Sequence, residues 1–246
     1  MARRVSRRKK PRKEEYQLKE RMKVENEVFD KNTLLVLEKL IKKGIISAVD
    51  YPISTGKEAN VFRATSASGT FLVVKIYKIT TTPFFRREEY LDGDPRFEKT
   101  KRSPRAIIFA FAHKEFKNLA VCEKAGVHSP KPIYCDKNVV VMEFLGKEGL
   151  PYATMNMVAP RGENDLASIL DDIKKMYKNG IIHADISEYN IVLGEVTYII
   201  DFGQGVVTRH PNAERFLERD VKNILRYFEK HGIVRDLKEV LEWIKR

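Results

Sequence analysis

Two short motifs constrain this chain more than any other feature of its sequence. The first, His183–Asn190, reads H-A-D-I-S-E-Y-N, and the second is D-F-G at Asp201. Short apolar runs border the first motif, and a strand-like run of five residues, Val196–Ile200, leads into the second. We therefore expect two acids and one amide, Asp185, Asp201 and Asn190, to form one site.

These residue types favour transfer of a phosphoryl group from ATP. Such a transfer needs one carboxylate that orients or deprotonates the attacking hydroxyl, and oxygen ligands that hold Mg²⁺ against the phosphates. Kinases provide these groups in a D-x-x-x-x-N loop followed by D-F-G. We predict Asp185 as the catalytic acid/base, and Asn190 and Asp201 as metal ligands. Each motif alone occurs often by chance, so the prediction depends on their combination.

A lysine inside an apolar run supplies a further part of such a site. The run Phe71–Tyr77 contains one charged residue, Lys75, which is costly to bury without a partner. In kinases a lysine on such a strand contacts the α- and β-phosphates and pairs with a helical glutamate. We predict Glu115 as the partner, since it shares the apolar face of a predicted helix, and Glu123 as the second choice. The alternatives are an edge-strand lysine facing water and acids on a solvated helix face.

The segment before Lys75 predicts a loop that covers the phosphates. It carries Ser54, Gly56 and Lys57 in a pattern that keeps only the middle glycine of the kinase G-x-G-x-x-G loop. Donors of these residues can still bind phosphate oxygens. The segment is not a Walker A loop, because Glu58 follows Gly56-Lys57.

A strand-like run that ends at Gly146 predicts the connection between two lobes. By position, the carbonyl of Glu143 and the amide of Leu145 would bond the adenine ring. Backbone contacts leave little trace in a sequence, so this prediction depends on position alone.

Together these motifs resemble the RIO family of atypical protein kinases, and the type-one subfamily fits best. The resemblance rests on S-T-G-K-E-A-N-V from Ser54, V-K-I-Y-K from Val74, H-A-D-I-S-E-Y-N from His183 and I-D-F-G-Q-G from Ile200. It covers about residues 30–240 and is compatible with an archaeal source. It implies an α+β fold with two lobes like that of protein kinases.

The resemblance also implies an activity and a partner. ATP with Mg²⁺ or Mn²⁺, autophosphorylation on serine, and a role in maturation of the small ribosomal subunit and its rRNA are expected. In this family the D-F-G aspartate is implicated as the acceptor of a transient phosphate, which suggests a switch driven by ATP hydrolysis. The matching residue here is Asp201.

The chain divides into three predicted regions. Residues 1–24 form a basic flexible arm, residues 25–145 an N-lobe that begins with an additional helix, and residues 146–246 a helical C-lobe. After Gly203 the chain has no A-P-E motif and is too short for the helices that bind protein substrates in ordinary kinases.

Local signals in the N-lobe predict one helix and one long loop. Asn32-Thr33 can cap the additional helix, and Thr80–Lys101 lacks any periodicity and reads as a long flexible loop. The apolar stripe predicted for this helix consists of Leu34, Leu37, Leu40 and Ile41.

In the C-lobe, Asn164 or Asp165 can cap a helix that ends before Gly180. The helix leads to His183, which we expect to support the D-F-G backbone rather than to act as a base. Two further helices are predicted at about 213–230 and 236–245. Four aromatic residues in these last helices are predicted to lie in the core: Phe216, Tyr227, Phe228 and Trp243.

Ser103 has two interpretations. It can be the N-cap of the Glu115 helix, with Pro104 at the first helical position. It can also be an autophosphorylation site, because a phosphate there would lie at a helix N-terminus beside Arg102 and Arg105. The cap is the favoured main role, although the two roles can coexist.

The net charge of +12 favours polyanionic partners, with ribosomal RNA as the candidate, although a basic arm can also serve only solubility. Cys122 and Cys135 are too few for a disulfide scaffold and lie in apolar contexts that suit buried thiols, which indicates a reducing cytoplasm. No run is long and apolar enough to span a membrane.

Two other functions remain open. A small-molecule kinase of the aminoglycoside-phosphotransferase type shares H-x-D-x-x-x-x-N, but the phosphate loop and the basic charge argue against it. An RNA-binding assembly factor that uses ATP only as a conformational ligand is the third hypothesis; slow turnover with salt-sensitive RNA binding would favour it.

Overall fold

The computed structural model describes residues 29–79, 93, 94, 96 and 103–246. The predicted arm of residues 1–24, and all but three positions of the predicted loop Thr80–Lys101, lie outside the described residues. The described chain has the α+β fold expected, with a sheet in the N-terminal part and mainly helices in the C-terminal part.

An antiparallel sheet of five strands, in the order β1-β2-β3-β5-β4, forms the N-lobe. Lys75 lies in its central strand, where it pairs with Val61 on one side and Val140 on the other. Only 6% of Lys75 is exposed, so the alternative of an edge lysine facing water is excluded. The strands are β1 (Ala48–Thr55), β2 (Ala59–Thr65), β3 (Phe71–Tyr77), β4 (Pro132–Asp136) and β5 (Val139–Glu143).

The predicted additional helix is present as α1 (Lys31–Lys42) and packs on one face of this sheet. Its predicted cap is wrong. Asp30 is the N-cap, and its Oδ1 accepts hydrogen bonds from the backbone N of Thr33 at 2.8 Å and from the Thr33 hydroxyl at 2.7 Å. A carboxylate directly before the first helical residue therefore replaces the amide or hydroxyl expected at Asn32-Thr33.

The predicted apolar stripe of α1 is partly wrong. Leu34 and Ile41 are about half exposed, whereas Val36, Leu37 and Leu40 are buried against the sheet. The stripe is rotated relative to the prediction, because a sequence period shows that a face exists but not which neighbouring apolar residues lie at its centre.

Helix α2 (Pro104–Ala125) begins where the sequence predicts. The Ser103 hydroxyl accepts a bond from the backbone N of Ala106 at 3.3 Å, and Pro104 is the first helical residue. Gly126 ends the helix in the left-handed conformation, with φ of +69°. The capping role of Ser103 is confirmed.

Among the described residues, the C-lobe contains three helices and six short strands that form three antiparallel pairs. The helices are α3 (Glu163–Lys178), α4 (Ala213–Glu229) and α5 (Leu237–Lys245). The strands are β6 (Gly146–Lys147), β7 (Leu150–Pro151), β8 (Ile181–Ile182), β9 (Ile191–Leu193), β10 (Thr197–Ile199) and β11 (Val206–Val207). The β9–β10 hairpin connects the predicted catalytic loop, His183–Asn190, to the D-F-G segment that begins at Asp201.

The predicted cap of α3 is wrong. The helix follows Gly162, and no side chain caps it. Asp165 instead accepts a hydrogen bond from the backbone N of Arg161 at 2.7 Å, and its carboxylate also pairs with the Arg161 guanidinium. Arg161, next to the start of α3, therefore binds the Asp165 carboxylate that was predicted to cap the helix.

Of the four predicted core aromatics, Phe216 and Phe228 are buried, but Trp243 is 40% exposed. The Nζ of Lys174 lies 4.0 Å from the centre of the Trp243 ring, so this ring meets a cation on the surface. Tyr227 is partly buried and donates its hydroxyl to the carbonyl of Met155.

The core consists of two clusters. One lies between α1 and the sheet, and the larger one runs from α2 through the C-lobe helices. Because α2 shares its core with the C-lobe, Glu115 lies between the two lobes. Cys122 is buried and Cys135 is only partly buried; both are free thiols. Among the described helices, none combines the length and apolar character needed to cross a bilayer.

Candidate active site

A cavity of about 640 Å³ lies between the N-lobe sheet and the C-lobe, and Lys75, Glu115 and Asp201 line it. A second cavity of about 300 Å³ shares Lys75 and Asp201 with the first and is bordered by Gly56 and Lys57. The fold therefore gathers residues from strands β1 and β3, from helix α2 and from the D-F-G segment around one cleft.

Lys75 pairs with two carboxylates at the centre of this cleft. Its Nζ lies 2.7 Å from Oε1 of Glu115 and 2.8 Å from Oδ1 of Asp201. Burial lowers the pKa of Lys75, but Asp201 and Glu115 outweigh burial and raise the pKa above its ordinary value. The pairing expected for Glu115 is present, whereas Glu123, the second choice, is exposed on α2.

The two carboxylates differ in environment. Burial raises the pKa of Glu115, which is 1% exposed, despite the opposing effect of Lys75. Burial would also raise the pKa of Asp201, but Lys75 holds that pKa below its ordinary value, and 49% of the Asp201 side chain is exposed. Asp201 is thus an ionised carboxylate at the surface of the cavity, while Glu115 is a buried anchor.

Tyr77 is a site residue that the sequence analysis missed. Its hydroxyl donates to Oε2 of Glu115 at 2.6 Å, the oxygen that Lys75 does not contact. Tyr77 and Lys75 are two residues apart on β3 and therefore point to the same face. That spacing is the signal in the sequence that could have found it.

Asp185 and Asn190 contact each other within the catalytic loop. Nδ2 of Asn190 donates to the Asp185 carbonyl at 2.8 Å and to Oδ2 of Asp185 at 3.3 Å. Gln204, which the sequence analysis did not single out, donates from Nε2 to the same Oδ2 at 2.9 Å. Two amides from different segments therefore hold one oxygen of the predicted catalytic carboxylate.

Helix α4 supports the backbone of the catalytic loop through Asp220. Asp220 accepts hydrogen bonds from the backbone N of Ala184 at 2.7 Å and of Ile186 at 3.0 Å, on either side of Asp185. Burial raises the pKa of Asp220 to about 7, although these two donors oppose it. Ala184 has φ of +63°, a conformation that is strained for a residue with a side chain and persists only where its surroundings hold it. Local sequence gives no indication of this support, because it comes from a helix far along the chain.

His183 has the scaffold role expected of it. Its Nε2 lies 3.0 Å from the carbonyl of Ile200, directly before Asp201, and its ring packs edge to face on Phe202 with 4.7 Å between ring centres. Burial lowers the pKa of His183 to about 4, so the ring is neutral near pH 7 and Nε2 is the protonated nitrogen.

The predicted phosphate loop and hinge also reach the cleft. Ser54 lines both cavities, and Gly56 and Lys57 border the smaller one beside Lys75. Glu143 and Leu145 lie in the wall of the larger cavity, at the end of β5. Their placement agrees with adenine contacts, and the individual roles of these residues stay predictions.

The donor set of this cleft fits a nucleotide with Mg²⁺. Asn190 uses its Nδ2 within the loop, which leaves its amide oxygen as the ligating atom, and Asp201 offers a carboxylate. Mg²⁺ is typically bound by one or two such oxygens together with substrate phosphates and water. Lys75 adds a positive charge 2.8 Å from Asp201, which suits an anionic ligand in the same cleft.

Comparison with known proteins agrees with this geometry. A family model described as the RIO domain matches residues 60–240. The chain belongs to the RIO family. It is 38% identical over 228 residues to the RIO-type serine/threonine-protein kinase Rio1 of Haloferax volcanii, covering 92% of this chain and 78% of that protein. It is 39% identical over 186 residues to the protein of the same name from Thermoplasma acidophilum, covering 76% and 99% of the two chains.

A solved RIO structure has the same fold. The crystal structure of the Rio2 kinase–ADP/Mg²⁺–phosphoaspartate complex from Chaetomium thermophilum superimposes with a TM-score of 0.63 at 26% identity. The match covers 83% of this chain and 63% of that chain, so the RIO chain described here spans less than two thirds of its length. The fold is kinase-like, and the chain is a protein kinase of the RIO family.

Proposed function

We propose that this RIO protein is an ATP- and Mg²⁺-dependent serine/threonine-protein kinase that phosphorylates itself. The observation that carries the proposal is Lys75 Nζ, held between Glu115 and Asp201 at 2.7 and 2.8 Å on the wall of the cleft. The names of the curated RIO relatives support serine or threonine as the acceptor. Membership of the RIO family favours this function over a small-molecule phosphotransferase.

Each residue has a defined part in the reaction. Glu115 and Tyr77 hold Lys75, whose ammonium binds α- and β-phosphate oxygens. Asp185 accepts the proton of the acceptor hydroxyl as that oxygen bonds to the γ-phosphorus and the bond to the leaving ADP oxygen breaks. Asn190 and Asp201 hold Mg²⁺, which when bound neutralises the phosphate oxygens. Ser54, Gly56 and Lys57 cover the triphosphate from β1.

A second mode of action uses Asp201 as a phosphate acceptor, so that the protein works as an ATP-hydrolysing switch. The support is the relative solved as an ADP/Mg²⁺–phosphoaspartate complex, together with the half-exposed and ionised state of Asp201 here. Attack of a carboxylate oxygen on the γ-phosphorus releases ADP and forms an acyl phosphate, and water then hydrolyses that bond to release phosphate.

The proposed setting is maturation of the small ribosomal subunit in the cytoplasm. The resemblance to the RIO family and the net charge of +12, which favours RNA, support it. Ser103 is the proposed autophosphorylation site, because it is exposed at the N-terminus of α2.

The test is incubation of the purified protein with γ-³²P-ATP and Mg²⁺, alone and with small-subunit particles. Wild type is compared with Asp185→Ala, Asp201→Asn, Ser103→Ala and, as an exposed control, Asp171→Ala, whose side chain is 52% exposed. We expect label in wild type and in the control, and loss of transfer in Asp185→Ala with ATP binding retained. An active Asp185→Ala protein would overturn the assignment.

The chemistry of the label separates the two modes. Acid-stable label on serine supports the kinase, and its persistence in Ser103→Ala would remove that site from the proposal. Hydroxylamine-labile label that is lost in Asp201→Asn, with free phosphate stimulated by particles, supports the switch. Equal free phosphate with and without particles would contradict a ribosomal role for the switch.

A further inference from the structure

A short turn outside the catalytic motifs, described at Gly93, Asp94 and Arg96, contacts the D-F-G segment. Nη2 of Arg96 donates to the carbonyl of Gly205 at 3.1 Å, and Nη1 of Arg96 donates to Oδ1 of Asn118 on α2 at 2.6 Å. Nδ2 of Asn118 in turn donates to the carbonyls of Phe202 at 2.9 Å and Gly205 at 3.1 Å. Arg96 therefore bridges the α2 helix and the segment that follows Asp201.

Arg96 is itself held in place. Its guanidinium forms a two-point contact with Asp94, with Nε 2.9 Å from Oδ1 and Nη2 2.6 Å from Oδ2. The Asp94 side chain is fully buried, and Arg96 lowers the pKa of Asp94 against the effect of burial. Gly93 packs so closely on Pro211 that an added Cβ would lie 2.6 Å from the proline ring. Gly93 thus fixes the start of the turn against the C-lobe, and Asp94 holds the guanidinium of Arg96 in place.

The chemistry of Arg96 sets the orientation of Asn118. A guanidinium has only donors, so only the amide oxygen of Asn118 can face it. This orientation aims the amide NH₂ at the two carbonyls of the D-F-G segment. Without Arg96, a rotation of the Asn118 amide by half a turn would bring its oxygen against those carbonyl oxygens. Asn118 is fully buried, so its polar atoms depend on these partners.

Asp201 depends on the same peptide groups. The carbonyl of Phe202 is in the residue directly after Asp201, and Asp201 has φ of +66°, a conformation that its neighbours must hold. Gly205 has no room for a side chain, because a Cβ there would lie 2.7 Å from Nδ2 of Asn118. A displacement of Asn118 would therefore shift the backbone at Phe202 and Gly205, and with it the position of the Asp201 carboxylate.

We propose that Arg96 is a positioning residue for Asp201, acting through the Asn118 amide and the Gly205 carbonyl. The proposal rests on the proposed function of Asp201 as a ligand of Mg²⁺ and adds a residue from outside all the catalytic motifs to that site. Through Arg96, the turn at Gly93, Asp94 and Arg96 thereby contacts the D-F-G segment and helps to set its geometry.

The test compares Arg96→Ala and Arg96→Lys with a matched control, Arg161→Ala. Arg161 makes the same kind of contacts elsewhere. Its guanidinium pairs with the Asp165 carboxylate, and its Nη1 donates to the carbonyl of Gly194 at 2.9 Å. Hydrogen–deuterium exchange of residues 202–206 is measured without metal, and calorimetry measures ADP binding with and without Mg²⁺.

We expect exchange of residues 202–206 to rise about threefold or more in Arg96→Ala, and to stay unchanged in Arg161→Ala. The Mg²⁺ concentration for half-maximal ADP binding should rise about tenfold, the usual scale for loss of a group that supports a metal ligand. ADP binding without Mg²⁺ should change less than about twofold, because Lys75 is retained. Arg96→Lys should lie between, since an ammonium keeps the charge beside Asp94 but cannot bond Asn118 and Gly205 together.

Exchange and Mg²⁺ dependence equal to those of Arg161→Ala would overturn the proposal, and so would equal loss of ADP binding with and without Mg²⁺. If Arg96→Ala does not fold, the same criteria apply to Arg96→Lys. An Asn118→Ala protein provides the second check, because Arg96→Lys should then add little further effect. Failure of wild type to transfer phosphate would count against the proposed function, whereas the exchange result stands by itself.

Discussion

The hydroxyl of Tyr77 donates a 2.6 Å hydrogen bond to Oε2 of Glu115. Glu115 thereby has a partner for each carboxylate oxygen, with Lys75 on Oε1 at 2.7 Å. All three residues are buried, so this arrangement satisfies a charge pair that would otherwise be costly inside the protein. The position of Lys75 in the cleft depends on it.

Tyr77→Phe should destabilise the protein by about 1–3 kcal/mol, because it leaves one oxygen of a buried carboxylate without its donor. Urea unfolding measures the free energy. Tyr134→Phe is the control, since Tyr134 receives its contact from exposed Lys43 at 3.3 Å and should lose much less. Equal costs for the two variants would show that the Tyr77 hydroxyl has no special role.

Lys75→Ala should weaken ATP binding and abolish phosphoryl transfer, because it removes the cation that faces the phosphates. It should also cost about 3–5 kcal/mol of unfolding free energy, the scale for breaking a buried ion pair by removing one partner. The matched control is Lys39→Ala, whose pair with Asp136 is at the surface and whose loss should change the unfolding free energy little. Calorimetric titration with ATP and urea unfolding check both parts, and unimpaired ATP binding would contradict the role of Lys75.

Gln204→Leu should lower kcat about three- to tenfold, with little change in KM for ATP, because Gln204 holds the oxygen of Asp185 and does not line the larger cavity, where the adenine contacts are predicted. Steady-state kinetics at saturating Mg²⁺ measure both constants. Asn179→Leu serves as the control, because its exposed amide bonds only the carbonyl of Lys175 at 2.8 Å. A change in KM alone would assign Gln204 to nucleotide binding instead.

The contribution of His183 to stability should fall as the pH drops from 7 to 5, because its ring is buried and neutral, whereas Asp220, whose pKa burial raises to about 7, contributes in the opposite direction. The pKa of His183 is about 4 in the folded protein and 6.5 in its ordinary state, so the unfolded chain binds the extra proton between these values. The stabilisation from the neutral ring is complete above pH 6.5 and is lost as the pH falls towards 4. Between pH 7 and pH 5 the loss from His183 is about 2 kcal/mol.

Urea unfolding at pH 7 and pH 5 tests this expectation in wild type, in His183→Gln and in His231→Gln, an exposed control. Relative to wild type, the change in unfolding free energy from pH 7 to pH 5 should shift towards greater stability in His183→Gln and should be the same in His231→Gln. A dependence unchanged in His183→Gln would mean that other groups produce it.

The sequence predicted those parts of the fold that depend on local pattern. The strand around Lys75, the helix from Pro104 with Ser103 as its cap, and the two last helices follow from periodicity and capping chemistry. The errors occur where two neighbouring residues could serve equally well. Asp30 caps α1 in place of Asn32-Thr33, and the buried stripe of α1 keeps Leu37 and Leu40 but contains Val36 in place of Leu34 and Ile41.

Trp243 shows a different limit. Its apolar character predicts a core position, but α5 places it at the surface beneath Lys174. Composition alone does not show that the core is already filled by other aromatic rings, such as Phe216 and Phe228.

For the candidate site, sequence alone identified the candidates for the chemistry: Lys75, Asp185, Asn190 and Asp201 are recognisable because phosphoryl transfer requires those residue types at those spacings. Tertiary structure decided what holds them. Asp220 supports the catalytic loop from 34–36 residues away, and Asn118 reaches the D-F-G segment across 84–87 residues. Such contacts leave no local pattern, because a buried backbone group accepts any suitable donor or acceptor that the fold brings within hydrogen-bonding distance.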